Sequence, residues 1–389
     1  MTTKWICSQL GAREKYAVPR AVRNKLIALY TDIWAPPHSL ASMFNKRLAG
    51  RYHPDLKNAP VTHFTIPIVT RKIREKVTGK PVPLDRLFDS LVQEELLRMV
   101  HPGKITFFGY SYSTRLSMKA AKTLGYTTVL GQINPGPAEA SIVREEFKKY
   151  KSGAYQPTVP DEWYWDRWRE EIELADTIIV NSSWSLQLLK AAGVPAEKCM
   201  VLPLAYEPPE EFGERKFRQV FDYSSPMRLL YLGGIGIRKG FHILAEAMRL
   251  LASHPVRLDV VGVLKGPEEL IKDLPPNITL HGAVPGNTVG EYYKRADLFI
   301  FPTLSDGFGL TQLEAQAYRL PLITTRYCAE VITDGVNGLV LEKVDAESIR
   351  DAVLNVLEQP GLLATFSANA VPMEKYNIEK LSGQLSLIE

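Results

Sequence analysis

Asp306 and Glu314 stand eight positions apart in the segment Phe301-Pro-Thr-Leu-Ser-Asp-Gly-Phe-Gly-Leu-Thr-Gln-Leu-Glu-Ala-Gln-Ala-Tyr-Arg-Leu-Pro-Leu-Ile-Thr-Thr325. The pattern predicts a strand end, a glycine turn, a helix, and then a second strand after Pro321. Asp306 falls in the turn and Glu314 inside the helix. Between them the turn presents backbone N–H groups at a helix N-terminus, which favours an anion such as phosphate. A carboxylate further along the same helix repels an anion but holds neutral hydroxyls well. A diphosphate joined to a ribose meets both demands, so the segment predicts a sugar-nucleotide site.

A second cationic loop lies upstream, in Leu229-Leu-Tyr-Leu-Gly-Gly-Ile-Gly-Ile-Arg-Lys-Gly240. A strand runs into glycines that let the backbone approach a ligand, and Arg238 and Lys239 arrive at the mouth of a helix. Two cations there can neutralise a diphosphate leaving group. The G-x-G-x-x-G spacing of a dinucleotide fingerprint is absent. Both loops follow strands expected in one sheet, so they should open on the same edge.

These loops must be carried by a larger frame. At 389 residues the chain exceeds one ordinary core and suits two domains. Hydrophobic content of 45% and charged content of 23% fit a globular protein. A net charge of +4 is too weak to imply nucleic acid. Apolar runs alternating with helical patterns predict α/β architecture with parallel sheets. In the first half the expected strands are Trp5–Cys7, Ile105–Phe108, Thr128–Leu130 and Thr177–Val180, with a helix starting near Asp161, after Pro160. That helix carries Trp163, Trp165 and Trp168, read as packing against the sheet.

The stretch from Leu202 to Pro226 breaks regular structure and is read as the hinge. Expected after it are strands Arg228–Leu232, Leu258–Val261, Ile278–His281 and Leu298–Phe301, a helix from Gly240 to Leu251, and helices over Ala346–Gln359 and Glu374–Ile388. The expected division is a first domain over 1–208, a donor-binding domain over 209–369, and a terminal helix over about 370–389 that returns to the first domain. Lysine and arginine cluster in Arg71–Lys80 and Arg144–Lys151. The plain reading is a solvated face, the sharper one a patch that touches acidic lipid or an anionic acceptor. Cys7, Cys199 and Cys328 show no disulfide or metal spacing, and the expectation is a reduced, cytoplasmic setting, with peripheral contact at the inner membrane face left open.

Taken in order, these segments resemble the retaining glycosyltransferases of family 4, the glycosyl transferases group 1. The resemblance runs from the Arg238-Lys239-Gly240 loop through Thr279-Leu-His-Gly-Ala-Val284 and Tyr292-Tyr-Lys-Arg-Ala-Asp-Leu-Phe-Ile-Phe-Pro302. It continues over the acid-x7-acid segment to Glu330-Val-Ile-Thr-Asp-Gly-Val-Asn-Gly-Leu-Val340. In the first half it is thinner, resting on Leu174–Ser183, Gly193–Lys198 and the loop after the first strand. It implies the GT-B fold, two Rossmann-like doubly wound domains facing across a cleft. It also implies transfer of a hexose from a nucleotide-diphosphate sugar to an acceptor hydroxyl, with retention.

By the same resemblance Glu314 matches the second acid of the E-x7-E motif and grips the donor ribose. Asp306 matches the first acid, over the sugar ring, and Lys239 the diphosphate lysine. These three form the expected catalytic set. Gly233, Gly234, Arg238, Gly307, Phe308, Gly309 and Leu310 would line the diphosphate and sugar, and Val284 would sit where main-chain groups read the base. Gly11, in the loop Ser8–Tyr16, would admit backbone amides to the donor, while Arg13, Glu14 and Tyr112 would face the acceptor. Three positions depart from the family pattern. Asp306 is shorter than the usual glutamate, setting its carboxylate back by roughly 1.5 Å. Gly234 stands where a second phosphate-binding arginine is usual. Gly109–Ser113 lacks the histidine placed beside the anomeric carbon. No metal and no cofactor is expected. The acceptor class stays open among a glycan, a lipid-linked sugar and a small metabolite, and the oligomeric state is not readable. The alternatives are a nucleotide-sugar-binding partner subunit without turnover and a GT-B sugar-nucleotide epimerase.

Overall fold

A computed structural model describes residues 3–37, 39, 46–99, 101–150, 162–209 and 212–388. Pro160, Asp161 and Lys151 lie outside the described residues.

The first sheet is built from β1 (Lys4–Gln9), β2 (Leu26–Thr31), β3 (Val61–His63), β4 (Ile105–Tyr110), β5 (Thr127–Gly131), β6 (Thr177–Val180) and β7 (Cys199–Val201). All pairings are parallel, in the order β3-β2-β1-β4-β5-β6-β7. Its connections carry α1 (Ala17–Ala21), α2 (Thr65–Thr78), α3 (Leu84–Arg98), α4 (Arg115–Thr123), α5 (Pro137–Tyr150), α6 (Glu162–Leu174) and α7 (Ser183–Ala191). The second sheet orders β8 (Met227–Leu232), β9 (Val256–Val261), β10 (Ile278–Gly282), β11 (Leu298–Ile300), β12 (Leu322–Thr325) and β13 (Gly338–Leu341) as β10-β9-β8-β11-β12-β13, again all parallel. Around it lie α8 (Phe241–Leu250), α9 (Val289–Arg295), α10 (Leu310–Ala317), α11 (Ala346–Glu358) and α12 (Gly361–Ala368). The short α13 (Ile378–Leu385) ends the described fold.

Strands buried on both faces read as continuous apolar runs, and β4 and β11 are buried throughout. Strand order reverses between β1 and β4 in one sheet and between β8 and β11 in the other. In doubly wound sheets such a switch point opens a crevice at the carboxyl ends of the strands. The loops singled out by sequence leave β1, β4, β8 and β11, so all four feed the two crevices.

The chain crosses between the domains twice. After β7 it runs on from residue 202, where Tyr206 N–H donates to Tyr376 C=O at 2.7 Å, in the 3-10 turn Met373–Tyr376 of the returning segment. Arg215 pins this linker to the second domain through the carbonyls of Tyr293, Tyr318, Lys294 and Ala296. The terminal helix α13 buries Ile378, Leu381 and Leu385 in a first-domain cluster with Trp5 and Tyr16.

Sequence reading placed no strand at β2, β3, β7 or β13 and no first-domain helix except α6. Helix α5 covers most of the Arg144–Lys151 run, and its buried face is polar as well as apolar. Glu139, Glu146 and Phe147 on α5 all turn toward the second domain: Phe147 joins its core, and Glu146 accepts from His242 at 3.0 Å. Of the three tryptophans on α6, Trp168 is buried, whereas Trp163 is exposed with Arg86 over its ring at 4.4 Å.

Candidate functional site

The second-domain crevice forms first in backbone. Gly240 starts α8 at φ 68°, and a Cβ there would come within 2.0 Å of the Pro302 carbonyl oxygen, so only glycine lets the two loops touch. Arg238 C=O in turn accepts from Leu304 N–H at 2.9 Å and from Thr303 Oγ1 at 3.2 Å. Gly309 starts α10 at φ 82°, with Phe301 packed where a side chain would stand. The loop after β8 and the loop after β11 are therefore one rigid unit.

Lys239, Arg238 and Asp306 meet on that unit. Lys239 Nζ is paired with Asp306 Oδ2 and lies 4.8 Å from the Phe301 ring centroid. Arg238 Nη1 donates to Ser305 C=O at 2.8 Å and stands 3.7 Å from Asp306 Oδ2. Burial alone would raise the Asp306 carboxyl, but the charges of Lys239 and then Arg238, with hydrogen bonds from Lys239 and Phe308 N–H, hold it below its ordinary range. The Phe308 amide, 3.4 Å from Asp306 Oδ1, is turned to this carboxylate. Gly233 and Gly234 follow directly on β8, and a Cβ on Gly234 would lie 3.0 Å from the Lys265 side chain.

Glu314 faces a cavity of about 440 Å³ between the domains, lined also by Glu14, Lys15, Leu232, Gly286, Val289 and Tyr293 among others. Tyr293 Oη donates to Glu314 Oε2 at 2.7 Å, which leaves the other carboxylate oxygen for a ligand. Burial raises the Glu314 carboxyl, against the Tyr293 hydrogen bond and the charge of Lys15. Leu310 lines the same cavity. Val284 packs on the second-domain core two residues before Gly286, so the predicted base-reading loop borders this space.

On the first-domain side the structure revises two expectations. The Gly11 amide is already committed, donating to Asp32 Oδ1 at 3.0 Å, and Arg51 Nη1 reaches the same oxygen at 2.9 Å. Glu14, Lys15 and Tyr16 are left-handed in succession (φ 50°, 51° and 61°), a costly backbone for residues with side chains. The turn aims Glu14 and Lys15 into the cavity, while Arg13 stacks over Tyr110 at 5.4 Å. Burial lifts the Glu14 carboxyl to about 7, partly opposed by Arg13 at 3.9 Å. Tyr112 is also left-handed (φ 72°); its hydroxyl donates to Asn134 Oδ1 at 2.8 Å and its amide to Glu171 at 2.6 Å. It braces the loop after β4 with a hydroxyl already engaged.

Sequence reasoning missed Glu139, Tyr293 and Lys15. Glu139, only 9% exposed, projects from α5 across the cleft to within 3.6 Å of Arg238 Nη1. Its carboxyl is raised by burial, with Arg238 and Ser305 opposing. Nothing local in Pro137-Ala-Glu-Ala marks it, because its partner lies 99 positions away. Tyr293 does sit in a segment that carries the resemblance, Tyr292–Pro302. The domains also touch at the start of α7, where Trp184 Nε1 donates to Ser305 Oγ at 3.0 Å and Ser185 Oγ to Gly307 C=O at 3.2 Å.

Known proteins share the sequence of the second domain and the fold of the whole chain. The glycosyl transferases group 1 family model matches residues 226–359. A capsular polysaccharide biosynthesis glycosyltransferase, CapM of Staphylococcus aureus, is 29% identical over 151 residues, 36% of this chain and 39% of that protein. A D-inositol 3-phosphate glycosyltransferase of an Arthrobacter strain is 28% identical over 162 residues, 38% of each. The chain thus spans about two fifths of the length of these curated relatives. Across the whole chain the fold resembles Anabaena HepE, solved with UDP and glucose: TM-score 0.64 at 15% identity, covering 100% of this chain and 99% of that one. Residues 226–359 thus match the glycosyl transferases group 1, and the fold of the whole chain is the GT-B architecture.

Proposed function

We propose that this protein is a retaining glycosyltransferase that moves a hexose from a nucleotide-diphosphate sugar to an acceptor hydroxyl. The observation that carries the reading is the meeting of Arg238, Lys239 and Asp306 at the β8/β11 switch point, beside an interdomain cavity that Glu314 faces. Cations there suit a diphosphate, and Glu314, held by Tyr293 on one oxygen, suits ribose hydroxyls. Relatives named as glycosyltransferases, and a neighbour solved with UDP and glucose, support the same class of donor.

In this reading Lys239 and Arg238 carry the charge of the departing diphosphate without a metal ion. Asp306 positions the sugar and stabilises positive charge on it, and the leaving phosphate oxygen takes the acceptor proton. The acceptor enters on the side of Glu14 and Tyr112. The three cysteines are free, which suits a reducing, cytoplasmic compartment.

The test is a thermal-shift panel of UDP, GDP, ADP and their sugar conjugates, followed by transfer assays with and without chelator. A nucleotide at about 100 times its dissociation constant adds roughly 2.7 kcal/mol of stability. A shift with one base, and a product whose anomeric configuration by NMR equals the donor's, is the expected result. Absence of any shift removes the donor site. Binding without transfer or hydrolysis would instead identify a partner subunit, and an altered sugar nucleotide formed without acceptor would identify an epimerase.

A further inference from the structure

The first-domain helix α2 turns an apolar stripe to solvent. Ile66, Val69, Ile73 and Val77 are 79%, 48%, 58% and 80% exposed, and at 100° per residue they fall on one face. The opposite face is the packed one: Ile68 is buried, and Arg71 is paired with Glu75, whose carboxylate also accepts from Val82 N–H at 2.8 Å. Lys72 and Lys76 border the stripe on one side and Arg74 on the other, all exposed. A soluble helix places its polar residues outward, so this arrangement is inverted. Four large apolar side chains outward, flanked by cations, match the boundary of a lipid bilayer, where apolar groups enter the acyl region and cations meet anionic headgroups.

We propose that α2 is a membrane-docking surface that seats the first domain on an anionic phospholipid bilayer. The helix follows β3, whose carboxyl end lies on the cleft edge of the parallel sheet. Ile66 is therefore at the cleft end of the stripe, and docking brings the acceptor side of the cleft to the membrane surface. Charge complementarity commits the occupant: Lys72, Arg74 and Lys76 form a cationic border with Glu75 turned inward, whereas a second copy of the helix would bring like charges together.

Vesicle co-sedimentation tests this on the full chain, with phosphatidylcholine vesicles made with and without phosphatidylglycerol. The wild type is expected to sediment with the anionic vesicles and to be released by salt. A Lys72→Gln, Arg74→Gln, Lys76→Gln variant should lose about 100-fold in partitioning, near a kcal/mol for each cation removed. An Ile73→Glu, Val77→Glu variant should lose binding even at low salt. These exposed substitutions leave the core intact, which an unchanged melting temperature without ligand verifies, so failure here is separable from failure of the donor reading. Absence of binding to anionic vesicles overturns the proposal, as does binding untouched by Ile73→Glu, Val77→Glu. A dimer in light scattering that this variant converts to monomer would show that a second copy covers the stripe, and would also overturn it.

Discussion

Replacing Lys239 by methionine separates the structural from the catalytic work of the cation. The substitution keeps the side chain's length over the Phe301 ring and removes the charge paired with Asp306. Breaking a buried pair from one side costs about 3–5 kcal/mol, because the remaining charge stays buried. Arg238 Nη1 still stands 3.7 Å from the carboxylate, which puts the expected loss near the lower end, ~3 kcal/mol. For a cooperative unit of domain size that is a fall in Tm of roughly 6–12 °C.

The sign with pH follows from Asp306. Its carboxyl is depressed in the wild type, so it stabilises the fold above the ordinary value of 3.8 and loses that contribution as pH falls through the folded value. Without Lys239 the burial effect dominates, the carboxyl rises, and the variant weakens as pH increases above 3.8. The two melting curves should stand furthest apart at neutral pH and converge only below pH 3.8, as pH falls through the depressed value of the wild-type carboxyl. Adding Asp306→Asn to Lys239→Met removes the stranded charge and should restore ~2 kcal/mol of stability, while turnover stays more than ~100-fold down. Differential scanning fluorimetry and a donor-turnover assay on the four proteins of the cycle measure both. Additive losses within ~0.5 kcal/mol would refute the pairing, and near-normal turnover in Lys239→Met would refute its role at the diphosphate.

Glu14→Gln should melt level with the wild type near pH 4.5 and above it at pH 8, because between 4.5 and about 7 the wild-type carboxyl ionises in the unfolded chain while burial keeps it neutral in the fold; a constant offset across that range would contradict the assignment. Glu139→Gln should lower kcat/KM for the donor about tenfold through KM, with partial rescue by Glu139→Asp, since Glu139 acts by holding Arg238; equal losses in all acceptor-free and acceptor-bound steps would point to mere destabilisation. Glu314→Ala is expected to cut turnover more than ~100-fold, and Tyr293→Phe to raise the donor KM with a smaller effect on kcat.

The second domain was legible because its chemistry is local. Asp306, the glycine turn and Glu314 fall within one strand–turn–helix, so spacing alone reports their relation, and the Arg238-Lys239 loop is tied to a neighbouring strand of the same sheet. The first domain hides its part. Helix α5 spends its buried face on contacts with residues about a hundred positions away, so its polar positions read as a charged surface run. The commitment of the Gly11 amide depends on Asp32 and Arg51, which approach only when β2 pairs with β1. The left-handed run at Glu14–Tyr16 has no glycine to announce it. It persists because Tyr16 is buried in the core that α13 completes.

Among the described residues, the cations at the switch point are paired within the site: Lys239 with Asp306, and Arg238 with Glu139 and Asp306, while Tyr293 donates to Glu314. Binding of a diphosphate is then an exchange of partners. As the phosphates draw Lys239 and Arg238, Asp306 and Glu139 lose their cations while remaining buried beside a new anion, a repulsion that offsets much of the Coulomb gain. Sugar hydroxyls donating to Asp306 remove that penalty, and a bare nucleoside diphosphate cannot supply them. On the proposed function, the intact sugar nucleotide should therefore bind more tightly than its nucleoside diphosphate, the reverse of what a site built only to grip phosphate would give. Asp306→Asn should erase the difference, because an amide has no stranded charge to satisfy. Calorimetric titration of both ligands against both proteins decides it: preference for the bare diphosphate in the wild type would show that Lys239 and Arg238 leave their carboxylates at no cost.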